Sequence, residues 1–322
     1  MTTELQSSDI ENRSEILFLY DAKDCDPNGD PFTGEPRYDE DTQKVMVSDV
    51  RLKRYIRDYI DKYKSDENSN EEEPSNIVFY SSLGETQTVK GRKNNLKKLI
   101  DEENREASIL NMCIDIRLFG CVLAIEDDNV DLTGTVQFKN MNRSLNKVDL
   151  KPLQNTSVMK SSEEKTQGAI ATSSQVPYAV ISAIGYVNPK TAEFNGTRTE
   201  DIDLMLEALW NQVNLINTRS KAGQTSRVLF KLNYADPISK ISDVESLIDL
   251  DGSKDNYRNF REVEPHLNFD RMLSALERNE NKVDSLEYRL DDSAEYENIK
   301  SFLEEVRDKN IELKPITFTN ES

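Results

Sequence analysis

The sequence has few of the side chains that most enzymes use for nucleophilic or metal chemistry. Its 322 residues include one histidine, His266, and three cysteines, Cys25, Cys113 and Cys121. With a single histidine, the chain cannot form a two-histidine metal site, and a serine–histidine catalytic pair would have to use His266. The cysteines are odd in number and lack the spacing of a metal motif, which fits a reducing compartment better than a disulfide framework.

Long apolar runs are also missing. No segment approaches the roughly 20 apolar residues that cross a bilayer, so no membrane partner is predicted. The N-terminus lacks the basic and then apolar pattern of a signal peptide. These absences predict a cytoplasmic protein. The hydrophobic content of 36% is enough for one large or two ordinary domains.

Charge is abundant and unevenly distributed. The formal net charge is −19, which alone argues against a general nucleic-acid binder. Cations nevertheless concentrate in a helix predicted at residues 48–64 and in two segments without acidic residues, 87–98 and 217–231. Such segregation can create a positive surface on an acidic protein, and the local field is what attracts an anionic partner.

Residues 37–64 are the segment around which the chain is organised, and they contain the helix predicted at 48–64. Ser48 is a predicted N-cap, because its hydroxyl can accept a hydrogen bond from the first turn. Apolar residues at helical spacing predict a buried stripe: Val50, Leu52, Tyr55, Ile56, Tyr59 and Ile60. The other sides carry Arg51, Lys53, Arg54 and Arg57. These cations suit an anionic polymer or a solvated face, and the helix alone leaves both interpretations open.

The order of predicted elements indicates an α+β fold. An apolar strand at Ile16–Tyr20 precedes the helix, strand-like runs surround a polar excursion, a second helix begins at Thr199, and a strand follows at 228–234. This βαββαβ order predicts a ferredoxin-like core with large insertions. An antiparallel sheet of that kind is expected to keep one face free for a ligand. The octapeptide signature of RNA-recognition motifs is absent.

The same patterns predict how the chain is divided. The boundaries are a flexible tail at 1–14, a core at 15–64 and 111–240, an insertion at 65–110, a protruding excursion at 150–172 and an acidic extension at 241–322 that packs on or beside the core.

Residues 24–35 match the calcium-loop pattern D-x-[DN]-x-[DN]-G-x5-E. Oxygen ligands from Asp24, Asp26, Asn28 and Glu35 would suit that ion. A calcium hand, however, needs a helix entering the loop, and the preceding segment is a predicted strand. Turn chemistry, in which Asn and Asp side chains bond their own backbone, is the favoured interpretation. A calcium-binding interaction protein remains an alternative.

Several short motifs follow one another in an order typical of one family. They are Asn28–Pro31, Glu35–Arg37, Val47–Tyr59, Asp115–Gly120, Thr133–Phe138, Arg143–Asn146 and Thr218–Lys221. With them the chain resembles the backbone subunit of type I CRISPR effector (Cascade) complexes, the seventh Cas family, in particular its I-B (Csh-type) branch and the related I-C branch. The resemblance covers about residues 14–235. It departs at Thr135, where the family is expected to carry proline.

The resemblance implies a modified RNA-recognition-motif palm with inserted fingers and a thumb hairpin. It implies a non-catalytic protein that needs no cofactor or metal and that polymerises along a guide RNA, whose base pairing reads the target. The implied partners are guide crRNA, target DNA through the guide, further copies of the chain, other Cascade subunits and a recruited helicase–nuclease, in a prokaryotic cytoplasm.

The resemblance and the charge pattern together select candidate RNA contacts. These are Asn28, Arg37, Ser48, Arg51, Lys53, Arg54, Arg143, Arg219 and Lys221. Arg219 and Lys221 have a competing role, compensation of a helix C-terminal dipole. Val158 and Met159 are the candidates for a thumb residue wedged beside a base.

An enzymatic alternative also comes from the resemblance. Related backbone subunits of type III complexes cut target RNA with an aspartate and a metal ion. Asp24, Asp26 and Asp30 could supply such carboxylates. The matched motifs are nevertheless of the type I branch, so no nuclease activity is predicted.

Overall fold

The computed structural model describes residues 4–67, 74–83, 88, 91–92, 96, 104–125, 128–156, 170–251, 256–292, 296–309 and 311–318. The wedge candidates Val158 and Met159 lie outside the described residues. No helix in the described part of the chain is long and apolar enough to cross a membrane.

The described residues form a mixed α+β structure, as the sequence predicts. The strands are β1 (Ser14–Cys25), β2 (Tyr38–Asp39), β3 (Lys44–Ser48), β4 (Gly120–Ile125), β5 (Asp128–Thr133), β6 (Val136–Phe138), β7 (Met141–Ser144), β8 (Lys151–Thr156), β9 (Ile170–Val187), β10 (Gln224–Tyr234), β11 (Asp249–Leu250), β12 (Leu267–Asn268), β13 (Val283–Leu290) and β14 (Glu312–Pro315). The helices are α1 (Asp49–Tyr63), α2 (Arg105–Met112), α3 (Ile114–Phe119), α4 (Pro189–Asn195), α5 (Thr199–Leu215), α6 (Phe260–Val263), α7 (Asp270–Arg278) and α8 (Glu297–Arg307).

One large sheet organises these elements. Its strand order is β14-β13-β10-β1-β9-β7-β3-β2, and β6 and β8 also pair with β9. Strand β1 lies in the middle, antiparallel to both β9 and β10. The β13–β14 pair is parallel, which makes the sheet mixed. The long β9 continues beyond the sheet to pair with β8 as a hairpin.

The first core fills the space between the sheet and helices α1 and α5. Ile16, Phe18 and Tyr20 of β1 face these helices and are fully buried. The buried residues of α1 that pack in this core are Leu52, Tyr55, Ile56, Tyr59 and Ile60. Val50 is 67% exposed, so its place in the predicted stripe is wrong. At about 100° per residue it lies roughly 200° around the helix from Leu52, on the opposite side.

The second core covers the other face of the sheet. Leu17 and Leu19 point there and pack with residues from 244–311, including Phe269 and Phe302, whose stacked rings lie 4.5 Å apart. The expectation of an open sheet face is therefore wrong. Both faces of β1 are apolar, so leaving either one in water would cost the free energy of its burial.

Residues 4–13 form hydrogen bonds with distant parts of the chain. Gln6 N donates to Asn111 Oδ1 at 3.0 Å, and Asp9 Oδ1 accepts from Thr199 N at 2.7 Å. Gly196 has a φ of 66°, and a Cβ there would lie 2.6 Å from Gln6 O. Helix α5 begins at Thr199, as the sequence predicts, and its N-cap is Arg198. The segment thus supplies Asp9 as an acceptor for the first turn of α5.

The insertion after α1 is joined to the core by hydrogen bonds to two buried residues of α3, Asp115 and Arg117, which also form ion pairs with α1 and α5. Asp115 is fully buried and accepts from Phe79 N at 2.7 Å, Tyr80 N at 3.1 Å and Arg57 Nε at 2.9 Å. Arg117, also fully buried, pairs with an α5 carboxylate at 2.7 Å. Through Asp115, these bonds fix the position of Tyr80 relative to Arg57 of α1.

Thr135, which stands where the family is expected to carry proline, makes bonds that proline could not. Its N–H donates to Arg117 O at 3.1 Å, and its hydroxyl lies 2.7 Å from that of Thr197. Proline has no N–H to donate. The substitution therefore adds hydrogen bonds at the turn before β6.

Candidate nucleic-acid interface

A cleft opens beside the N-terminal end of α1 and is called the α1 cleft below. Its volume is about 730 Å³. It lies between the loop after β1, the first turns of α1 and the turn before β7. Its lining includes Asn28, Arg37, Ser48, Asp49, Val50, Arg51, Arg54, Arg57, Tyr80, Gly120, Asn140 and Met141.

Ser48 and Asn28 hold the loop and the helix together at this cleft. Ser48 Oγ accepts from Arg51 N at 3.3 Å, so the predicted N-cap is confirmed. Asn28 Oδ1 accepts from Ser48 N at 2.7 Å and from Ser48 Oγ at 2.9 Å. With its amide oxygen used in this way, Asn28 fixes the geometry of the helix start.

The start of α1 presents a partial positive charge to the cleft. The first N–H groups of a helix have no partner within the helix. Asp49 N donates to Asn140 O at 3.1 Å, and Arg51 N donates to the Ser48 cap. Val50, which lines the cleft, is the remaining residue of this turn. A helix N-terminus of this kind favours an anion.

Arg51 differs from the other cations of the cleft. Its guanidinium lies over the Tyr55 ring, 4.2 Å from the centroid, and no carboxylate among the described residues pairs with it. Its buried Nε has no hydrogen-bond partner among them. Burial raises the pKa of Tyr55, and the adjacent guanidinium opposes that rise. The phenol therefore stays neutral and does not compensate the positive charge of Arg51.

The other arginines of the cleft each contact a carboxylate. Arg37 pairs with Asp30 at 3.1 Å, Arg54 with Asp58 at 2.7 Å and Arg57 with Asp115 at 2.9 Å. A guanidinium has five N–H donors, so one carboxylate does not exhaust it. These pairs hold the guanidinium groups in fixed directions while leaving donors for a second anion.

Four predicted contacts lie outside the lining of the α1 cleft. Lys53 pairs with Asp49 at 2.9 Å, and Arg143 on β7 pairs with Asp39 at 3.4 Å. Arg219 is exposed in the turn after α5. Lys221 is mostly buried, and its Nζ donates to Asp26 O at 2.7 Å and to Asp26 Oδ2 at 3.0 Å. Burial lowers the pKa of Lys221, and the nearby carboxylate of Asp26 partly offsets this decrease.

The carboxylates of the calcium-like loop point to separate partners. Asp26 contacts Lys221, whereas Asp30 accepts from Phe32 N at 2.8 Å and pairs with Arg37. The bond from Phe32 is the main cause of the lowered pKa of Asp30. The described residues contain no group of three Asp, Glu, His or Cys side chains that could hold a metal ion. The loop uses its polar side chains for turns and ion pairs.

Sequence reasoning missed Tyr80 and did not select Arg57. Tyr80 lies in an insertion without local periodicity, and tertiary contacts with Asp115 and Arg57 bring it to the cleft. Arg57 could have been selected, because it follows Arg54 by one helical turn. Arg92, by contrast, belongs to the predicted cationic segment 87–98 but is buried. Its guanidinium donates to Glu67 Oε1 at 2.5 Å and Oε2 at 2.6 Å.

Comparisons with known proteins agree with this architecture. A family model described as "CRISPR-associated protein Cas7" matches residues 12–268. A relative from Haloferax volcanii with the same description is 28% identical over 304 residues, which cover 85% of this chain and 86% of the relative. A chain of a solved "CRISPR RNA-guided surveillance complex" has a TM-score of 0.52 at 14% identity and covers 88% of this chain and 91% of that one. A chain of a "pre-nicking" surveillance complex has a TM-score of 0.53 at 11% identity, with coverages of 88% and 94%.

The fold is thus that of subunits found in RNA-guided surveillance complexes, and the chain is a CRISPR-associated protein. It belongs to the Cas7 family, because the family model matches well over half of its length. The resemblance inferred from the sequence motifs is confirmed.

Proposed function

We propose that this protein is a non-catalytic backbone subunit of a type I CRISPR complex, and that it binds the guide crRNA along its sugar–phosphate chain in the α1 cleft. The observation that carries the proposal is the guanidinium of Arg51. It lies at the positive end of α1 without a carboxylate partner among the described residues, in a chain whose net charge is −19.

The chemistry of the cleft suits a phosphate backbone. An anion between Arg51 and the first turn of α1 would meet a full positive charge and the positive end of the helix dipole. Arg37, Arg54 and Arg57 lie in the same cleft and can bind neighbouring phosphates. Such contacts fix position without reading sequence. This property suits a guide whose sequence varies.

The topology supports a palm, fingers and thumb. Strands β10, β1, β9 and β7 are neighbours in that order, and α1 and α5 both cover one face. We infer that these elements are a ferredoxin-like, RNA-recognition-motif palm within 15–64 and 111–240. The insertion at 65–110 would be the fingers, and the β8–β9 hairpin would begin the thumb at 150–172. Residues 241–322 would be an extension that packs on the palm.

The remaining partners follow from this assignment. Further copies of the chain would line the same guide, together with other Cascade subunits. Target DNA would bind through the guide, and a helicase–nuclease would be recruited to it. The location would be a prokaryotic cytoplasm, and the motifs favour a I-B complex. The structural matches to chains of RNA-guided surveillance complexes support this setting.

The test is Arg51→Gln, with Arg271→Gln as the matched control. Arg271 is a 66% exposed arginine on α7, so the control removes the same charge outside the cleft. We expect purified Arg51→Gln protein to carry less RNA, seen as a lower 260/280 nm absorbance ratio. For single-stranded RNA, the slope of log K against log salt should become shallower by about 0.7 per lost phosphate contact. Equal slopes for the variant and the control would contradict the proposal.

The geometry does not favour the nuclease alternative. Asp26 pairs with Lys221 and Asp30 pairs with Arg37, and Asp24 belongs to neither ion pair. Complementary RNA incubated with the assembled protein and Mg²⁺ should therefore remain intact. Cleavage that Asp30→Ala abolished would establish the alternative instead. Calcium should likewise leave the melting temperature unchanged, whereas a calcium-dependent increase would support an ion in the 24–35 loop.

A further inference from the structure

Lys221 directs its charge into the protein rather than into the α1 cleft. It lies in the turn between α5 and β10, and its side chain is 15% exposed. Its Nζ donates to the carbonyl oxygen of Asp26 at 2.7 Å and to the Oδ2 atom of the same residue at 3.0 Å. Two of the three N–H donors of the ammonium group are therefore committed to one residue of the loop after β1.

The carboxylate of Asp26 is only half used by this contact. Its Oδ1 atom is buried and has no hydrogen-bond partner among the described residues. Gly29 leaves the space that the carboxylate needs, because a Cβ atom there would lie 2.7 Å from Asp26 Oδ2. A buried carboxylate oxygen without a donor is unfavourable. Asp26 would therefore accept from a further donor that came within reach.

Arg51 carries a donor that matches this acceptor. Its Nε is buried and has no hydrogen-bond partner in the described part of the chain. The guanidinium lies over the ring of Tyr55, whose hydroxyl is 3.4 Å from the carbonyl oxygen of Pro27, the residue after Asp26. Burial lowers the pKa of Lys221, and the positive charge of Arg51 adds to this decrease. The two cations are thus near enough to repel each other, with one carboxylate beside them.

We propose that Lys221 is a positioning residue for Arg51. By holding Asp26, the lysine keeps that carboxylate from pairing with the arginine, and the positive charge of the α1 cleft stays available to RNA. The inference rests on the proposed function, in which Arg51 binds a phosphate. It gives Lys221 an indirect role, in agreement with its position outside the lining of the α1 cleft.

The energetics favour a change of partner when the lysine is removed. Asp26 would then be a mostly buried carboxylate without a cation, which is strongly unfavourable. The side chain of Arg51 is long and flexible, and its guanidinium can form two parallel hydrogen bonds to a carboxylate. The same N–H groups would no longer be free for a phosphate. All four arginines that line the described part of the α1 cleft would then have carboxylate partners.

The experiment tests whether removing the carboxylate rescues the loss of the lysine. The first variant is Lys221→Met, which keeps the apolar stem of the side chain. The second adds Asp26→Asn to it. The matched control instead adds Asp24→Asn, which removes the same charge from the same loop. Asp24 forms no ion pair with a described residue, and its φ of 50° suits asparagine. Affinity for a single-stranded RNA is measured by fluorescence anisotropy, and urea unfolding establishes that each variant is folded.

We expect Lys221→Met to lower RNA affinity by roughly tenfold, the scale of one hydrogen bond to a charged group. Adding Asp26→Asn should restore most of that affinity, although it restores no cation, whereas adding Asp24→Asn should not. Unchanged affinity in Lys221→Met overturns the inference. A loss that Asp26→Asn does not restore also overturns it, because the lysine would then contact RNA directly. Equal rescue by the two asparagine substitutions overturns it as well, since any loss of negative charge would suffice.

Arg51→Gln separates this role from a purely structural one and from the proposed function. If Lys221 acts through Arg51, adding Lys221→Met to Arg51→Gln should lower RNA affinity no further. A further loss as large as in the wild-type background means that the two residues act independently. That result overturns the inference and leaves the α1 site standing. Normal RNA binding by Arg51→Gln alone overturns the proposed function, and the role of Lys221 with it.

Discussion

In the α1 cleft three of the four arginines contact carboxylates. A second cleft, called the hairpin cleft below, lies at the base of the β8–β9 hairpin, and its cations form no ion pair with a described residue; they are Lys23, Lys147, Lys151 and Arg258. Ion-paired guanidinium groups have lost much of their rotational freedom before a ligand arrives, so less entropy is lost on binding. Free lysines add charge but do not define where a phosphate sits. We therefore expect the α1 cleft to hold a bound anion in a more defined position than the hairpin cleft could.

The largest effect should come from removing the carboxylate that fixes one side of the α1 cleft. Asp115→Ala would leave Arg57 without its partner and two buried N–H groups, those of Phe79 and Tyr80, without an acceptor. Breaking a buried pair of this kind costs about 3–5 kcal/mol. Urea unfolding measures the change in free energy.

Asp58→Ala is the matched control for that change. Its carboxylate pairs with Arg54 near the surface, with side-chain exposures of 29% and 36%, and such pairs contribute less than about 1 kcal/mol. If Asp115→Ala is no more destabilising than Asp58→Ala, the α1 cleft is not held rigid by its buried pair, and the contrast with the hairpin cleft disappears.

An intermediate effect is expected when the shape of the Arg51 side chain changes while its charge stays. Arg51→Lys keeps the cation but loses the planar fork and the stacking on Tyr55. RNA affinity should fall by roughly threefold to tenfold, since a hydrogen bond to a charged group is worth about 1.5–3 kcal/mol and only part of it is lost. The salt slope should stay near the wild-type value.

The control for this prediction is Lys151→Arg in the hairpin cleft, outside the α1 cleft, and its RNA affinity should stay the same. An equal loss in both variants would mean that the effect does not depend on the α1 cleft. Because the clefts share no side chain, the effects of combined variants should be additive.

The sequence predicted the parts of this arrangement that depend on local signals. A serine directly before an apolar helical stripe commonly caps the helix, as Ser48 does. Arg51 lies near this cap because it is three residues further along the same helix. The contact between Arg57 and Asp115 joins residues 58 positions apart, so only the tertiary structure shows it. The closed sheet face was in fact visible in the uninterrupted apolar run Ile16–Tyr20, which indicates burial on both sides.

The choice among the cations could not be made from the sequence for a related reason. Lys53 and Arg51 are both cations of α1 and lie two residues apart. Lys53 nevertheless pairs with Asp49, one helical turn earlier, whereas Arg51 stacks on Tyr55, one turn later. The positions of acids relative to each cation decide which charge stays available. For Lys221 the decisive acid, Asp26, lies 195 residues away.

The smallest effect should come from the N-cap itself. Ser48→Ala removes the acceptor for Arg51 N and one donor to Asn28 Oδ1, and the loss of such a cap costs about 1 kcal/mol. Urea unfolding should show this change, and RNA affinity should decrease less than in Arg51→Lys because the guanidinium remains. Ser301→Ala, at an exposed position within α8, is the control and should change neither quantity. A Ser48→Ala protein with wild-type stability would mean that Asn28 alone sets the start of α1, and the rigidity of the α1 cleft would then depend on the loop after β1 rather than on the helix.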